Sequence, residues 1–410
     1  MRAQINRDRL WDSHMEMAKI GATPKGGVCR LSLSDEDKVS RDLFVKWAED
    51  AGCVVRIDTV GNIFARRAGT DPDAAPVMTG SHLDTQPLGG RFDGAYGVLA
   101  GLEVVRALND AGVETDAPID IVVWTDEEGC RFTTKTMGSA TFAGLRPEAD
   151  VLDGVDPDGK RFGDELVRIG YAGTEPCGGF DIAAYFETHI EQGPILENEG
   201  IPVGAVGGAQ GQRCFEVTVT GEEGHAGTLP MDQRKDSFLG AARMADALNA
   251  VAFQFEPRPV ITVGHVRVRP NSRNTIPGQT VFTIDSRHPS DATLVEMKKA
   301  MQSACEQIAG DMGLGLEMVE TSVSPVVTFD AALVQGVRDA ADDLGIGCRD
   351  MFSGAGHDAC KIAGVAPAAM IFVPCKDGIS HNELEDATPD DLAAGTAVLL
   401  KVVIDAANRT

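Results

Sequence analysis

Residues 80–94 read GSHLDTQPLGGRFDG, and the way this stretch is framed decides the fold. Before it lies PVMT at 76–79, short, apolar and prone to extended structure; after it Val98, Leu102, Val105 and Leu108 recur at helical spacing until Gly112 offers a stop. His82, Asp84 and Asp93 are therefore expected in a glycine-rich loop between a strand and a helix. In open α/β sheets the crevice at such strand ends is where ligands bind. A neutral imidazole and anionic oxygens together suit a borderline divalent cation such as zinc. Asp93 is the candidate to share its two oxygens between two ions, while Asp84, two residues beyond His82, is placed to accept the other imidazole N–H and fix its tautomer. A polar turn that merely caps the helix is the competing reading of this stretch taken alone.

Working outward, the arrangement recurs. IDIVVWT at 119–125 is a buried-type strand ending in Asp126, Glu127 and Glu128, three carboxylates that are costly together unless cations or protons neutralise them. Neighbouring side chains point different ways, so one glutamate can ligate while the other faces a water. The apolar run at 183–188 leads into His189, and the one at 368–373 leads into a loop with Ser380, His381, Asn382 and Glu383. Four strand ends thus bring His82, Glu128, His189 and His381 to one edge of a parallel sheet, a repetition that no capping turn explains. Of the eight histidines, His14 and His265 lie off these ends and read as structural or surface residues, and pattern alone leaves His288 and His357 undecided.

The remaining elements read as scaffold. Leu10, Met15, Met17 and Ile20 suggest an N-terminal helix. Ser34 caps a second, with Asp35, Glu36 and Asp37 in its first turn, an apolar side of Val39, Leu43, Phe44 and Trp47, and a stop at Gly52. Val54, Val55 and Ile57 face Ile63 and Phe64 across Gly61-Asn62 as a hairpin. Between about Cys214 and Ser322 strands and helices alternate as βαββαβ, the order of a ferredoxin-like insert. The expected organisation is a catalytic metal-binding domain over 1–212 and 326–410, a mixed, mostly parallel sheet flanked by helices, interrupted by an α+β lid or dimerisation domain over 213–325.

At 410 residues the chain exceeds one ordinary core, and 43% hydrophobic with 24% charged residues is a globular composition. No apolar run reaches membrane-spanning length and MRAQINRDRL lacks a signal-peptide core, so a cytoplasmic location is expected. A formal net charge of -25 argues against nucleic acid or an anionic membrane as partner. It also means that an anionic substrate requires a local basic group. Nine scattered cysteines read as reduced thiols, and Cys130, nearest the chemistry, reads as a small buried hydrophobe.

The motifs GSHLDT, RFDG, TDEEG, ETHIEQGP, GHAGTLPM, NTIPG, SGAGHDA and SHNE follow one another along essentially the whole chain. In that order they resemble the M20 family of dinuclear metallohydrolases, in the branch of N-carbamoyl amino acid hydrolases, β-ureidopropionases and allantoate amidohydrolases. The phrases RLWDSHMEMAKIG and GNIFARRAGTDP look most like bacterial β-ureidopropionases and N-carbamoyl amino acid hydrolases. The resemblance implies two divalent ions per subunit (zinc, manganese, cobalt or nickel), one held by His82, Asp93 and His189, the other by Asp93, Glu128 and His381, with Glu127 as general base. Related peptidases carry a carboxylate where this chain has His189, which favours the carbamoyl branch over peptide cleavage. It further implies that His225 stabilises the oxyanion, reaching the partner's site in a homodimer, and that Asn274 and Arg287 contact a ureido-acid substrate. Arg287 can clasp a carboxylate through two parallel hydrogen bonds, and an ordinary strand-end ion pair is its bland alternative. Gln192, Gln212 and His357 are further candidates for amide and carboxylate contacts, and domain closure is expected to assemble the site. Allantoate amidohydrolase, peptidase or N-acyl amino acid hydrolase, and a metal-depleted binding protein are the competing functions.

Overall fold

The computed structural model describes residues 3–132 and 134–408. The chain divides into two compact units, one running to Gly208 and resuming at Thr328, the other Ala209–Val327.

The first unit is built on a nine-stranded sheet. At its centre the strands Ile119–Trp124, Val77–His82, Ala184–Ile190 and Ala368–Val373 lie side by side in that order, each parallel to the next, with antiparallel strands outside them. All four are buried along their whole length, which is why they read as continuous apolar runs rather than alternating ones. From Val77–His82 the chain crosses to one neighbour, Ile119–Trp124, and later to the other, Ala184–Ile190. The carboxyl end of Val77–His82 therefore lies at a switch point, where a doubly wound sheet opens a crevice. The strands carry His82 and His189 on regular backbone, so His82 lies on its strand and not in the loop where it was expected, and His189 stands near the end of its strand as expected.

Helix Ala95–Ala111 follows the loop and packs on Val77–His82 with nearly all of its residues buried. Its entry requires glycine: Gly94 has φ +65, and a Cβ there would lie 2.3 Å from the His82 ring. Helix Asp35–Asp50 starts at Ser34 as the cap pattern predicts, its hydroxyl accepting the Asp37 N–H. The buried side is rotated from the apolar stripe: Val39 points outward while Asp37, Ser40, Arg41, Phe44 and Ala48 face in. A buried ion pair explains the rotation, since Arg41 meets Asp37 at 2.9 Å and also donates to the Gly61 carbonyl. His14, in helix Arg7–Met17, is fully buried against Phe92 and Tyr96, whereas His265 is exposed.

In the second unit the long strands Gly211–Thr220, Val260–Arg269, Gln279–His288 and Gly315–Ser324 form an antiparallel sheet in which the first sits between the fourth and the third. Helices Ser237–Ala252 and Asp291–Met312 cover one face over Phe215, Val217, Val219, Phe282 and Ile284. This is the ferredoxin-like order. A short ribbon of Gly224–His225 and Thr275–Ile276 is added to it.

Candidate metal centre

The four parallel strand ends converge. Asp93, one residue before the Gly94 turn, is buried among three imidazoles, and its two oxygens face different groups. Oδ1 lies 3.7 Å from His82 Nε2 and 3.2 Å from His189 Nε2. Oδ2 lies 3.4 Å from His381 Nε2, which is itself 3.6 Å from Glu128 Oε2. Ligands held 2.0–2.1 Å from a tetrahedral ion sit about 3.3 Å from one another. Most of these separations are long for hydrogen bonds and suit donors gathered around a shared cation. The two groups, His82 with Asp93 and His189, and Asp93 with Glu128 and His381, each bring their ligand atoms within 4.8 Å of one another.

The imidazoles are oriented for the task. His82 Nδ1 is 2.9 Å from the Asp84 carbonyl and His189 Nδ1 is 2.9 Å from the Ile190 carbonyl. A carbonyl only accepts, so each Nδ1 carries a proton and each Nε2 is the ring atom turned toward Asp93 and available to a metal. The residues present fit divalent metal: neutral nitrogen donors, anionic oxygens and a carboxylate whose oxygens diverge.

The expected role of Asp84 is corrected here. Its backbone carbonyl, not its carboxylate, takes the His82 N–H, because Oδ1 is 3.7 Å from that nitrogen. The carboxylate is turned to accept the backbone N–H groups of Glu127 and Glu128 at 3.3 and 3.1 Å, and so fixes the loop that carries both glutamates. Those glutamates part as expected: Glu127 Oε2 approaches His82 Nε2 at 3.7 Å, and Glu128 faces His381. Asp126 adopts φ +56 and is wholly buried.

So much buried acid needs positive charge. Burial, reinforced by Asp358, Glu128, Asp84 and Asp93, pushes the Glu127 carboxyl well above the usual range. Burial and Asp93 bring Glu128 up to about 7, and burial, partly offset by His82, brings Asp84 to about 6. Asp93 goes the other way: burial opposes ionisation, but His189 and His381 hold its carboxyl well below the ordinary value. For His189, burial alone lowers the imidazole and is outweighed by Asp93 and Glu187, which leave it raised to about 9.

Sequence reasoning misses two groups around this centre. Glu385 accepts the backbone N–H groups of Phe92 and Asp93 at 3.0 and 3.1 Å and the Ser380 hydroxyl at 3.1 Å, fixing the bridging aspartate from behind. Glu187, fully buried two residues before His189, accepts from Ser81, Tyr185 and the Ala359 N–H and so ties adjacent strands together. Alternation could have located Glu187, which lies on the His189 face of its strand; nothing in composition locates Glu385.

Of the substrate candidates, Gln192 reaches the centre: its Nε2 donates to Asp93 Oδ2 at 3.0 Å and to Ser380 at 3.2 Å. His357 is buried with its ring 4.5 Å from that of His189, and its Nε2 is 2.9 Å from the Ser353 hydroxyl. The others belong to the second unit. There His225 and Asn274 meet through the short ribbon, the Ala226 N–H donating to the Asn274 carbonyl. Gln212 and Arg287 are register partners, and both hold Asp285, Arg287 at 3.1 and 2.9 Å and Gln212 at 2.7 Å. Cys130 is half-buried with its thiol pushed up to about 12, chiefly by burial, as befits an inert side chain.

The chain is similar to known proteins over nearly its whole length. Residues 78–405 match the model of peptidase family M20/M25/M40. An N-carbamoyl-L-amino-acid amidohydrolase of Rhizobium meliloti is 47% identical over 98% of this chain and 97% of its own length. The allantoate amidohydrolase of Escherichia coli is 35% identical over 93% of this chain and 94% of its own. A hydantoinase/carbamoylase family amidase of Burkholderia multivorans superposes with a TM-score of 0.96 at 55% identity, covering 99% of each chain.

Proposed function

The chain belongs to peptidase family M20/M25/M40 and is an amidohydrolase acting on C–N bonds of carbamoyl or ureido compounds; from that premise we propose that its substrates are N-carbamoyl-L-α-amino acids or N-carbamoyl-β-alanine, cleaved to the amino acid, ammonia and carbon dioxide. The observation that carries this reading is the divergence of the two Asp93 oxygens toward separate imidazole groups, with Glu127 unengaged by either and facing His82.

His82, Asp93 and His189 would hold one divalent ion and Asp93, Glu128 and His381 a second, zinc, manganese, cobalt and nickel all suiting such donors. Bound there, such ions supply Lewis acidity, bringing the pKa of a water toward neutrality and polarising a carbonyl. Glu127 accepts a proton from the attacking water at Oε2 and returns it to the leaving nitrogen, a base then acid cycle that its raised pKa suits. One water is consumed as the carbamoyl C–N bonds break and the nitrogens leave as amine and ammonia. Arg287 would grip the substrate carboxylate with Gln212 beside it, while Asn274, next to His225 at the other end of the second unit's sheet, would contact the substrate and His225 would stabilise the oxyanion. In the structure the Arg287 guanidinium holds Asp285 through Nε and Nη2, the strand-end ion pair that is its alternative reading, and the same two-point geometry would suit a substrate carboxylate. A homodimer in which the exposed His225 serves the partner's site is part of the same proposal, as is a cytoplasmic location; among the described residues no helix is long and apolar enough to cross a membrane.

Allantoate, another ureido acid, is the nearest rival because it would use the same ligands. A peptidase or N-acyl amino acid hydrolase is more distant, since His189 stands where related peptidases place a carboxylate. A metal-depleted binding protein is disfavoured by the complete donor set. The deciding experiment measures ammonia release from N-carbamoyl-β-alanine, several N-carbamoyl-L-amino acids and allantoate, after chelation and readdition of each metal. Preference for a carbamoyl amino acid is expected. Faster turnover of allantoate would overturn the substrate, and fewer than one ion per chain after reloading would overturn the enzyme's metal dependence.

A further inference from the structure

Gln86 lies in the same loop as His82 and Asp93 and reaches across it: its Nε2 donates to Glu128 Oε2 at 2.6 Å. That oxygen is the one facing His381. A carboxylate oxygen has two lone pairs, so one can accept the amide N–H while the other is aimed at a cation. Nor does the amide drift. Thr85 N–H donates to the Arg30 carbonyl at 2.9 Å, Arg30 N–H donates to the Thr85 hydroxyl at 2.8 Å, and Gly89 and Val28 exchange hydrogen bonds at 3.0 Å in each direction. The turn bearing Pro87 and Leu88 is thereby clamped at both ends, and Gln86 projects from a fixed backbone.

We propose that Gln86 is a positioning residue that holds the Glu128 carboxylate in its ligating orientation and so sets the affinity of the group formed by Asp93, Glu128 and His381 for its ion. The proposal rests on the two-ion reading above. Glu128 comes from a loop beyond its strand, and the Asp84 carboxylate fixes only its backbone N–H; the direction of its side chain falls to Gln86. The partner of a ligating carboxylate in this way is worth about 10–100-fold in metal affinity.

The test is calorimetric titration of zinc into the chelated full-length protein and into Gln86→Met, which keeps the length of the side chain but cannot donate. Thermal unfolding of both metal-free proteins checks that the fold is retained. The wild type is expected to take up two ions. In the variant the first should bind with unchanged Kd and the second about 10–100-fold more weakly, with an altered visible spectrum when cobalt fills the second site. Wild-type binding of both ions by Gln86→Met would overturn the proposal. Equal weakening of both ions, or a lowered unfolding temperature, would also do so by showing a general structural role. A wild type that binds a single ion would remove the two-ion reading itself, and the proposal with it.

Discussion

The two donor groups that share Asp93 are built differently. His82 and His189 stand on adjacent parallel strands, are almost wholly buried, and have their Nδ1–H groups satisfied by backbone carbonyls next to them in the chain. Glu128 and His381 come from loops beyond their strands. His381 has a positive φ of 54° and a side chain 42% exposed, and Gln86, Gln192 and Ser380 supply the hydrogen bonds around the oxygens of Glu128 and Asp93. A donor set on strands is fixed by the sheet's own hydrogen bonds before any ion arrives. One on loops depends on side-chain contacts and on a backbone held in a sparsely populated conformation, a feature that clusters at functional sites. The first group should therefore bind tightly and the second more weakly.

Asp93→Asn strikes the residue common to both groups and should have the largest effect. With one anionic oxygen lost, ion content should fall below one per chain and turnover by about 10⁴-fold or more, since the Lewis acid and the water on which Glu127 acts go together. Retention of two ions would show that the divergence of the Asp93 oxygens has no bearing on metal. Glu127→Gln separates chemistry from ligation: about 10²–10⁴-fold lower kcat with unchanged ion content is expected, and lost metal would make Glu127 a ligand.

The inequality itself is broken or sharpened by comparing His189→Asn with His381→Asn in a zinc titration. His189→Asn should weaken the tighter ion more than about 100-fold, whereas His381→Asn should change its Kd by less than about tenfold and abolish only the weaker one. If the two substitutions are interchangeable, the strand-borne and loop-borne groups are equivalent and the structural contrast carries no energetic weight.

This contrast also explains what was legible in the sequence. The parallel strands could be read because each is a short apolar run stopped by polar residues, and their histidines and carboxylates stand at the stops; strand pairing then brings the runs together whatever the rest of the chain does. The insert was readable for the same reason, as Phe215, Val217 and Val219 alternate while Leu294, Met297 and Met301 follow a helical period. Hydrogen-bond partners were not. That Asp84 turns its carboxylate to the Glu127 and Glu128 N–H groups, that Gln86 reaches Glu128, and that Glu385 fastens Asp93 all depend on loops whose paths only tertiary packing fixes. The stripe on helix Asp35–Asp50 was misplaced because Asp37 and Arg41 are buried together, an exception that periodicity cannot foresee.

The smallest effect expected is a pH dependence of stabilisation by metal, and its sign follows from the shifts. In the folded chain burial raises Glu128 and Glu385 to about 7, with Asp93 adding to both, and burial raises Asp84 to about 6. All three exceed unfolded carboxyl values of about 4. An acid so raised favours the metal-free fold while it is protonated, and that contribution fades as pH climbs from about 4 through 7. His189, raised to about 9 by Asp93 and Glu187 against the opposing effect of burial, contributes stability that is fully present below about 6.5 and lost as pH rises through 9. Asp93, depressed, acts only below about 4, where its contribution disappears as pH falls. Between pH 5 and 8 the raised carboxyls and His189 share one sign, weakening the metal-free protein as pH rises while ion binding, which requires deprotonated ligands, strengthens. His14, His82 and His357, lowered by burial, act the other way but on the metal-free and metal-loaded folds alike, and so leave the gap between them unchanged. The gap in Tm between metal-loaded and chelated protein should widen by a few degrees from pH 5.5 to 8, each coupled proton contributing up to about 1.4 kcal/mol per pH unit. The two donor groups should also separate along the axis: His189 contributes on both sides of pH 7, whereas the carboxyls near Glu128 add to the change only below it, so the slope should be steeper there. A gap that stays constant, or a change confined to one side of pH 7, would show that the two groups do not titrate as their surroundings require.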